Sequence, residues 1–537
     1  MRLYQALAKA LRDHGVTTLF GLIGDANLFM VDAYIKEFGG TYVSAANEIG
    51  ATVMALGYAS GSGRLGVATV THGPATTNTL TPLIEGVKGR LPMLLLCGDT
   101  HIEDRENLQD VSQRDLIVAT GAGFEPVRSP NTALRDLSIA IHRAFVERRP
   151  IALNVPVNFM WADIDYEAVR LRLPQLPGLV ARGDELDNAV GIIAGARKPV
   201  ILAGRGAIHA REALVRLGER IGAPLATTLK GRDLFRGAAF NLGVFGTLST
   251  PLAAEEIIAS DCVIAFGAGL NRFTTSQGAF LTGKRVVQVD ADPAAIGRNW
   301  AADAGVIGDA ATVANLICEL FDMAEIPAPG TRGRVLERGA EIHPLDFKDI
   351  SDDQTIDPRK AMTRLDHAIP AERVFVTDTG RFTRYSWTHF SVPDPASFHF
   401  TINFGSIGLG VPWAVGASYA APDRPVLLVT GDGGFMHGGL NEFNTAVRHE
   451  RDLIVVVIND GGYGAEEVQF RARALGSSTA QIDWPDFAAV AIALGGDGLA
   501  VRNEHDLACA AQAIAQRSRP LLIDVKVNPR WNSEGAH

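Results

Sequence analysis

Short apolar runs rich in β-branched residues recur along the chain, separated by longer segments whose apolar positions repeat at helical spacing. Residues 426–430 and 453–458 are the strongest of these runs. Such runs are typical of strands buried on both faces of a parallel sheet, and the segments between them are typical of the helices that cover it. The pattern therefore predicts an α/β fold of doubly wound domains with central parallel sheets.

The same pattern divides the 537 residues into three domains, which we predict at 1–165, 187–325 and 353–530. Stretches rich in proline, glycine and charged residues separate them, as is typical of linkers. The length agrees with three domains, because a domain commonly holds about 100–200 residues.

Composition and charge narrow the class of protein. The chain is 47% hydrophobic and 20% charged, with a formal net charge of -10 and no long basic run, which argues against a nucleic-acid partner. Its apolar runs are too short to span a membrane, and its first helix carries charges throughout, unlike a signal peptide. We expect a cytoplasmic protein with no membrane partner.

Four cysteines, Cys97, Cys262, Cys318 and Cys509, lie scattered in apolar contexts. They have neither the spacing of metal ligands nor the density of a disulfide framework. We expect four buried, reduced thiols, which agrees with a cytoplasmic location.

Polar residues follow the two strongest apolar runs at the points where strands should end. Asp432 lies between Gly431 and Gly433 after the first run, and Asn459 and Asp460 follow the second. Ligands of parallel sheets bind beyond the strand ends, so these oxygens should meet at one sheet edge. Glycines let backbone N–H groups approach an anion. The sequence predicts a site for a divalent cation that holds a diphosphate.

This spacing resembles the signature of the thiamine diphosphate-dependent decarboxylase and acetolactate synthase-like superfamily. The order of the three domains also resembles its pyrimidine-binding, central and diphosphate-binding domains. The resemblance implies that Asp432, Asp460 and the backbone carbonyl of Gly462 bind Mg²⁺. The chain between the two halves is one residue longer than the usual pattern. Counting from Asp432 therefore favours Asn459, whereas counting back from Tyr463 favours Asp460, which we prefer.

Glu48 resembles the glutamate that contacts the aminopyrimidine ring of the cofactor, and Ile407 resembles the bulky residue beneath its thiazolium ring. A solvated glutamate at a helix start is the alternative for Glu48, although the helix that follows is almost wholly apolar. A plain core residue is the alternative for Ile407. The resemblance implies further cofactor-binding residues: Gly380, Thr383, Ser406, Gly433, Gly434 and Tyr463.

Residues of the first domain resemble groups that face the substrate in relatives. Asp25 resembles a proton-handling aspartate of pyruvate decarboxylases, with a turn or N-cap residue as the alternative. His72 falls in a loop that lines the active site, and a structural histidine is the alternative. Gln109 resembles a glutamine that points at the substrate, or it is a surface residue. His101 is a weaker candidate than His72.

Glu466, six residues past Asp460, falls where pyruvate decarboxylases carry an active-site glutamate. Its helix looks amphipathic, so an exposed glutamate is the alternative. Together, Asp25 and Glu466 would resemble the acidic set that handles protons in that subfamily, because two facing carboxylates raise one pKa.

The central domain carries a weak nucleotide signal. Gly204 and Gly206 follow one predicted strand and Asp290 ends another, but the full dinucleotide fingerprint is missing. Bound FAD is therefore an alternative that we do not favour over a domain without a ligand.

The resemblance implies a thiamine diphosphate- and Mg²⁺-dependent lyase or carboligase that acts on a small 2-oxo acid, by decarboxylation with aldehyde release or by ligation. The alternatives are an acetolactate synthase-like transferase, a flavin-containing 2-oxo acid oxidase and an acyl-CoA lyase. Glu48 and Asp432 lie in separate domains, and relatives bring such residues together between subunits. We therefore expect a homodimer or a dimer of dimers (a homotetramer), with active sites at the subunit interface.

Overall fold

The computed structural model describes residues 1–104, 106–169, 183–330 and 347–531. It separates into two compact units, one within Met1–Pro174, Phe347–Ser391 and His399–His537 and the other within Gln175–Asp346 and Val392–Phe398. Each of the three predicted domains contributes one six-stranded sheet of parallel strands. The predicted α/β class is confirmed, and the domain limits stay a prediction.

The first domain alternates strands and helices from its start. Its strands are β1 (Thr18–Gly21), β2 (Thr41–Ser44), β3 (Gly66–Val70), β4 (Met93–Asp99), β5 (Gly123–Pro126) and β6 (Pro150–Pro156). Its helices are α1 (Leu3–Asp13), α2 (Leu28–Lys36), α3 (Glu48–Ser62), α4 (Pro74–Asn78), α5 (Leu80–Gly89), α6 (Gln113–Ala119) and α7 (Ala133–Val146). The strands lie in the order β2-β1-β3-β4-β6-β5, which places β3 and β4 at the centre.

The central domain has the same alternation. Its strands are β7 (Pro199–Ala203), β8 (Leu225–Thr227), β9 (Asn241–Val244), β10 (Cys262–Phe266), β11 (Arg285–Asp290) and β12 (Ala304–Ile307). Its helices are α8 (Asp184–Ala194), α9 (Arg211–Ile221), α10 (Pro251–Ala259) and α11 (Ala310–Met323). The strand order is β12-β11-β10-β7-β8-β9.

The third domain contains the two strongest apolar runs. Its strands are β13 (Val374–Thr377), β14 (Phe398–Phe400), β15 (Val426–Gly431), β16 (Leu453–Asn459), β17 (Asp497–Val501) and β18 (Leu521–Lys526). Its helices are α12 (Pro358–Ala368), α13 (Thr383–His389), α14 (Gly410–Ala420), α15 (Asp432–Gly434), α16 (Leu440–Arg448), α17 (Gly464–Ala472), α18 (Phe487–Ala493) and α19 (Glu504–Gln516). The order β14-β13-β15-β16-β18-β17 places β15 and β16 at the centre, where both faces are covered.

Helices α3 and α14 join the first and third domains within one compact unit. A Cβ on Gly57 would lie 2.3 Å from the Trp413 carbonyl oxygen, and one on Gly416 would lie 1.9 Å from the Met54 carbonyl oxygen. The two backbones therefore touch, which explains why both helices are apolar and buried over most of their length.

All four cysteines are free, and Cys97, Cys262 and Cys318 are buried as expected. The expectation is wrong for Cys509, which is exposed on α19. An apolar sequence context does not tell which face of a helix a residue occupies. Among the described residues, no helix combines the length and apolar character needed to cross a membrane.

Candidate active site

The two strongest apolar runs form neighbouring strands that end at one edge of the third sheet. Strands β15 and β16 pair in parallel with Gly431 opposite Ile458, so Asp432 and Asn459 leave the sheet side by side. The predicted meeting of these strand ends is confirmed.

Backbone donors fix the Asp432 carboxylate. The residue is 3% exposed, and its two oxygens accept hydrogen bonds from the Gly433 N–H at 2.8 Å and the Gly462 N–H at 2.9 Å. Burial raises the pKa of Asp432, and these N–H groups oppose that rise. Each oxygen keeps a further lone pair for a cation, because a carboxylate can accept about four bonds.

Asn459 is committed to the interior of the sheet. Its side-chain amide donates to the Asp524 carboxylate at 2.9 Å, and its oxygen accepts from the Gly461 N–H at 3.2 Å. Asp524 is fully buried, so this contact holds the Asn459 side chain inside the sheet. The arrangement weighs against Asn459 as a metal ligand.

Asp460 is the acidic neighbour of Asp432. Burial raises the pKa of Asp460, the adjacent Arg381 opposes that rise, and the negative charge of Asp432 adds to it. The negative charge of Asp432 therefore acts on the Asp460 carboxylate at the neighbouring strand end. This placement supports Asp460 over Asn459 as the second ligand.

A π-helical turn accommodates the extra residue between the two halves of the motif. The helix after β15 begins as α15, continues as a π-helix over Phe435–Gly439, and returns to α geometry in α16. A π turn holds one residue more than an α turn, since its hydrogen bonds reach one residue further. The insertion therefore upsets the count from Asp432 and leaves the count from Tyr463 intact.

Sequence analysis missed Arg381 and Glu467. The Arg381 side chain is 3% exposed, its Nε lies 2.6 Å from Asp460 Oδ2, and its guanidinium lies 4.8 Å from the centre of the Trp531 ring. It also donates to the Pro529 carbonyl at 3.0 Å, and a Glu467 oxygen lies 3.8 Å away. One sign of Arg381 is present in the sequence, its place between the predicted cofactor-binding residues Gly380 and Thr383. The sequence of that loop does not tell whether a charged side chain in it is buried.

The donor set fits Mg²⁺ with a diphosphate. Among the described residues, no three histidine, cysteine or acidic side chains cluster as a complete metal site. Asp432, Asp460 and the Gly462 carbonyl nevertheless supply hard oxygens, and Mg²⁺ commonly takes one or two carboxylates plus the phosphates that it bridges. A cation would also stabilise two carboxylates that repel each other.

Two glycines after β15 allow close packing around these oxygens. A Cβ on Gly433 would lie 2.7 Å from the Tyr463 ring and 3.8 Å from the Gly462 carbonyl oxygen. One on Gly434 would lie 2.9 Å from an Asp378 oxygen. Tyr463 is 36% exposed and packs edge-on against Trp484, with ring centroids 6.3 Å apart. It therefore forms a wall beside the strand ends.

The loop before α14 is held by Asp378, which is buried at the end of β13. Asp378 accepts a hydrogen bond from the Gly408 N–H at 2.9 Å, and burial raises the pKa of Asp378. Ser406 donates to the Ile407 carbonyl at 3.2 Å. Ile407 is half-buried in the single chain, and its role beneath the thiazolium ring stays a prediction.

The loop after β13 closes on itself. Thr383 donates to the Gly380 carbonyl at 2.9 Å and is buried at the start of α13. The Thr383 hydroxyl therefore stabilises the turn that contains both Gly380 and Thr383, two of the predicted cofactor-binding residues.

Glu48 is the first residue of α3 and is half-buried. Asn47 caps the helix by accepting from the Gly50 N–H at 2.6 Å, and Glu48 accepts from the exposed Asn78 amide at 2.9 Å. Within the described parts of the chain, no hydrogen bond joins the Glu48 side chain to the third domain. No hydrogen bond between described residues joins the Glu48 and Asp432 side chains.

The loops that carry Asp25 and His72 meet beyond β1 and β3. Thr71 Oγ1 accepts from the Ala26 N–H at 3.3 Å and lies 3.3 Å from His72 Nδ1. His72 is buried, whereas Asp25 is exposed. Asn27 is the N-cap residue of α2, so the N-cap part of the alternative for Asp25 is wrong, whereas Asp25 does lie in the turn before α2, as the other part predicts.

Gln109 joins the same edge through its backbone. A Cβ on Gly73 would lie 2.4 Å from the Gln109 carbonyl oxygen, so the Gln109 loop packs directly after His72. The Gln109 side chain is exposed. His101 is also exposed, and its Nδ1 accepts from the Glu103 N–H at 3.2 Å.

Glu466 and Glu467 occupy different faces of α17. Glu466 is exposed, and Glu467 is 6% exposed and lies 3.0 Å from the Arg471 guanidinium. Of the two, Glu467 therefore packs against the Asp460 site, and Glu466 is free to face a ligand or solvent.

Glycines of the central domain pack against one another. A Cβ on Gly204 would lie 2.2 Å from the Gly267 carbonyl oxygen, and one on Gly206 would lie 2.9 Å from the Gly267 Cα. Loop packing therefore explains Gly204 and Gly206 without a nucleotide.

Models of one family match this chain in the order of its three sheets. The model of the thiamine pyrophosphate enzyme N-terminal TPP binding domain matches residues 1–119, the central domain model matches 186–317, and the C-terminal TPP binding domain model matches 378–525.

The chain is also similar to named proteins along nearly its whole length. An acetolactate synthase of Mycobacterium bovis is 28% identical over 541 residues, which cover 97% of this chain and 87% of the relative. A sulfoacetaldehyde acetyltransferase of Alcaligenes xylosoxydans xylosoxydans is 27% identical, over 93% and 88%. A probable acetolactate synthase large subunit of Methanocaldococcus jannaschii is 27% identical, over 98% and 92%. With its three matching domains, the chain belongs to the thiamine pyrophosphate enzyme family.

Proposed function

We propose that this enzyme uses thiamine diphosphate and Mg²⁺ to cleave a carbon–carbon bond of a 2-oxo acid. It then releases an aldehyde or ligates the remaining fragment to a second carbonyl compound. The observation that carries the proposal is the buried pair Asp432 and Asp460 at adjoining strand ends, beside the Gly462 carbonyl. Thiamine diphosphate, when bound, supplies the electron sink for such a cleavage.

The third domain would hold the charged end of the cofactor. Asp432, Asp460 and the Gly462 carbonyl would bind Mg²⁺, and the backbone of Gly433 and Gly434 at the helix start would lie against the diphosphate. The turn at Gly380–Thr383 and the hydroxyl of Ser406 would add donors. Ile407 and Tyr463 are half-exposed or exposed and would contact the rings.

The first domain would control protons. Glu48 would contact the aminopyrimidine ring, and His72 and Asp25 would exchange protons with the reacting substrate, with Gln109 as a hydrogen-bond donor to it. Their loops meet at one sheet edge, which supports a shared role. Glu466 is exposed and would reach the same space from the third domain.

A second copy of the chain would complete the site. In one chain, Asn78 beside Glu48 is exposed, and so are Phe404 and Tyr463 near the cofactor loops. Surfaces of this kind would be covered where the first domain of one copy meets the third domain of another. We therefore propose a homodimer or a dimer of dimers, located in the cytoplasm.

Transfer to a second carbonyl compound is the nearest rival to aldehyde release. The names of the similar proteins, acetolactate synthase and sulfoacetaldehyde acetyltransferase, favour transfer. Asp25 favours release, because the resemblance places a proton-handling aspartate there in decarboxylases.

A panel of 2-oxo acids tests the proposal and separates the two outcomes. Purified protein with thiamine diphosphate and Mg²⁺ should release CO₂ from at least one acid, and chromatography should show either an aldehyde or a ligated product. An absorption scan checks for flavin. Failure to bind thiamine diphosphate in calorimetry would reject the proposal. Cofactor retained after EDTA treatment would reject the Mg²⁺ ligands alone.

A further inference from the structure

Two glutamates that are 0% exposed join the first and third domains in reciprocal fashion. Glu442, on α16 of the third domain, accepts hydrogen bonds from the Ala46 N–H at 3.1 Å and the Asn47 N–H at 3.2 Å. These residues directly precede Glu48. The Glu442 carboxylate of the third domain thus holds the loop of the first domain that leads into Glu48.

The second contact runs in the opposite direction. Glu85, on α5 of the first domain, accepts from the Phe404 N–H at 2.7 Å and from the Asn403 N–H and side-chain amide at 3.2 and 2.6 Å. This loop continues to Ile407. The Glu85 carboxylate of the first domain therefore holds the loop of the third domain that carries Ile407.

Neither contact is an incidental surface pair. An isolated carboxylate costs several kcal/mol to bury, so it is retained only where donors compensate it. Burial raises the pKa of Glu442, and its other oxygen accepts from Thr445 at 2.7 Å. A Cβ on Gly50 would lie 2.0 Å from Glu442 Oε1, so only glycine permits α3 to start this close.

Glu442 also lies on the helical run that begins at Asp432. The run passes through α15, the π turn and α16. Arg448, at its end, donates to the Ser44 carbonyl and hydroxyl at 2.8 Å each. The first domain is therefore anchored at two points on the helix that starts at the proposed metal ligand.

We propose that Glu85 and Glu442 are positioning residues that fix, across the domain boundary, the loops presenting Ile407 and Glu48. The roles of Ile407 and Glu48 rest on the proposed function. The hydrogen bonds of Glu85 and Glu442 do not depend on that function, so the positioning roles and the proposed function can be tested separately.

Substitutions of Glu442 that change either the charge or the length of the side chain test the proposal. Glu442→Asp keeps the charge but withdraws the carboxylate, and Glu442→Gln keeps the length and one carbonyl oxygen. Hydrogen exchange of the protein without cofactor should speed up about 10- to 100-fold at Ala46 and Asn47 in Glu442→Asp, because hydrogen bonds to charged groups are lost. Glu442→Gln should stay near the wild type there. Exchange at Asn403 and Phe404 should change less than at Ala46 and Asn47.

Glu85 should give the reciprocal pattern. In Glu85→Asp, exchange should speed up at Asn403 and Phe404 and stay nearly unchanged at Ala46 and Asn47. Glu85→Gln should be intermediate, since the two oxygens of Glu85 accept from different backbone N–H groups, whereas one oxygen of Glu442 accepts from both Ala46 and Asn47. Asp357→Asn is the matched control, because Asp357 is equally buried and caps α12 without touching either loop.

Cofactor binding and turnover distinguish positioning from stability. Glu442→Asp should weaken thiamine diphosphate binding about 10- to 100-fold, as removal of outer-shell partners commonly does, and lower kcat at saturating cofactor. Asp357→Asn should lower Tm alone. Exchange rates equal to those of the wild type in both Glu442→Asp and Glu85→Asp would overturn the proposal. Equal acceleration of exchange in both loops in every variant would also overturn it. If the variants show the expected changes in hydrogen exchange but the wild-type protein does not bind thiamine diphosphate, the proposed function is rejected and the positioning roles are retained.

Discussion

The third domain encloses its two candidate metal-binding carboxylates, Asp432 and Asp460, in a hydrogen-bonded cradle, whereas the first domain displays Asp25 and Gln109 on an open edge. Asp432 is 3% exposed and the Asp460 side chain 7%, each with a fixed partner. Asp25 and Gln109 are exposed, and Glu48 is half-buried with one amide partner.

This difference agrees with what each region is proposed to bind. A compact, highly charged metal–diphosphate group needs oxygens and N–H groups that are already in place, because reorganising them on binding costs affinity. A substrate edge must stay accessible until a substrate or a second subunit covers it. We infer that the cradle is complete in one chain and that the open edge is completed by assembly.

The largest effect is expected on the open edge, from Glu48→Gln. Turnover should fall about 10²- to 10⁴-fold, the usual contribution of a positioned acid–base group, with little change in Tm. Steady-state kinetics and thermal unfolding measure the two quantities.

Glu504→Gln is the matched control for this change. Glu504 also begins a helix behind an asparagine cap, but lies on α19 and pairs with Lys360. The turnover of the Glu504→Gln variant should stay near that of the wild type. Near-normal turnover in Glu48→Gln would remove Glu48 from the site.

Within the cradle, Arg381→Met should destabilise the protein by about 3–5 kcal/mol, because it leaves the buried Asp460 charge without its partner. Denaturant unfolding measures the loss. The double variant with Asp460→Asn should recover part of it, and a strictly additive result would show that the pair is not coupled.

The two candidate ligands after β16 should respond differently. Asp460→Ala should weaken Mg²⁺ binding by at least about 10- to 100-fold, the range seen when even outer-shell partners are removed. Asn459→Ala should mainly lower Tm, since Asn459 bonds Asp524 inside the sheet. Calorimetric titration with Mg²⁺ measures the affinity of each variant. A larger loss of Mg²⁺ affinity in Asn459→Ala than in Asp460→Ala would reassign the ligand to Asn459.

The smallest effect is expected from Gln109→Ala on the open edge. Stability should change by less than about 0.5 kcal/mol, as is usual for surface substitutions. A rise in KM with little change in kcat would support contact with the substrate. An unchanged KM would support a plain surface residue.

Sequence patterns were reliable where a local rule decides the structure. Residues 426–430 and 453–458 are buried on both faces as their composition predicts, and their parallel pairing follows from the alternation with helices. Faces of helices were less reliable. Cys509 is exposed, and Glu467 rather than Glu466 packs against the Asp460 site.

The sequence by itself determined the α/β class, the three sheets and the strand ends at Asp432 and Asn459, because these depend on local hydrophobic period and turn chemistry. Only the tertiary structure decided that Arg381 pairs with Asp460, and that Glu85 and Glu442 hold loops of the opposite domain. Those contacts join residues 79 to 396 positions apart. No local pattern encodes such a pairing, because a buried charge is stabilised by whichever donors the fold brings to it.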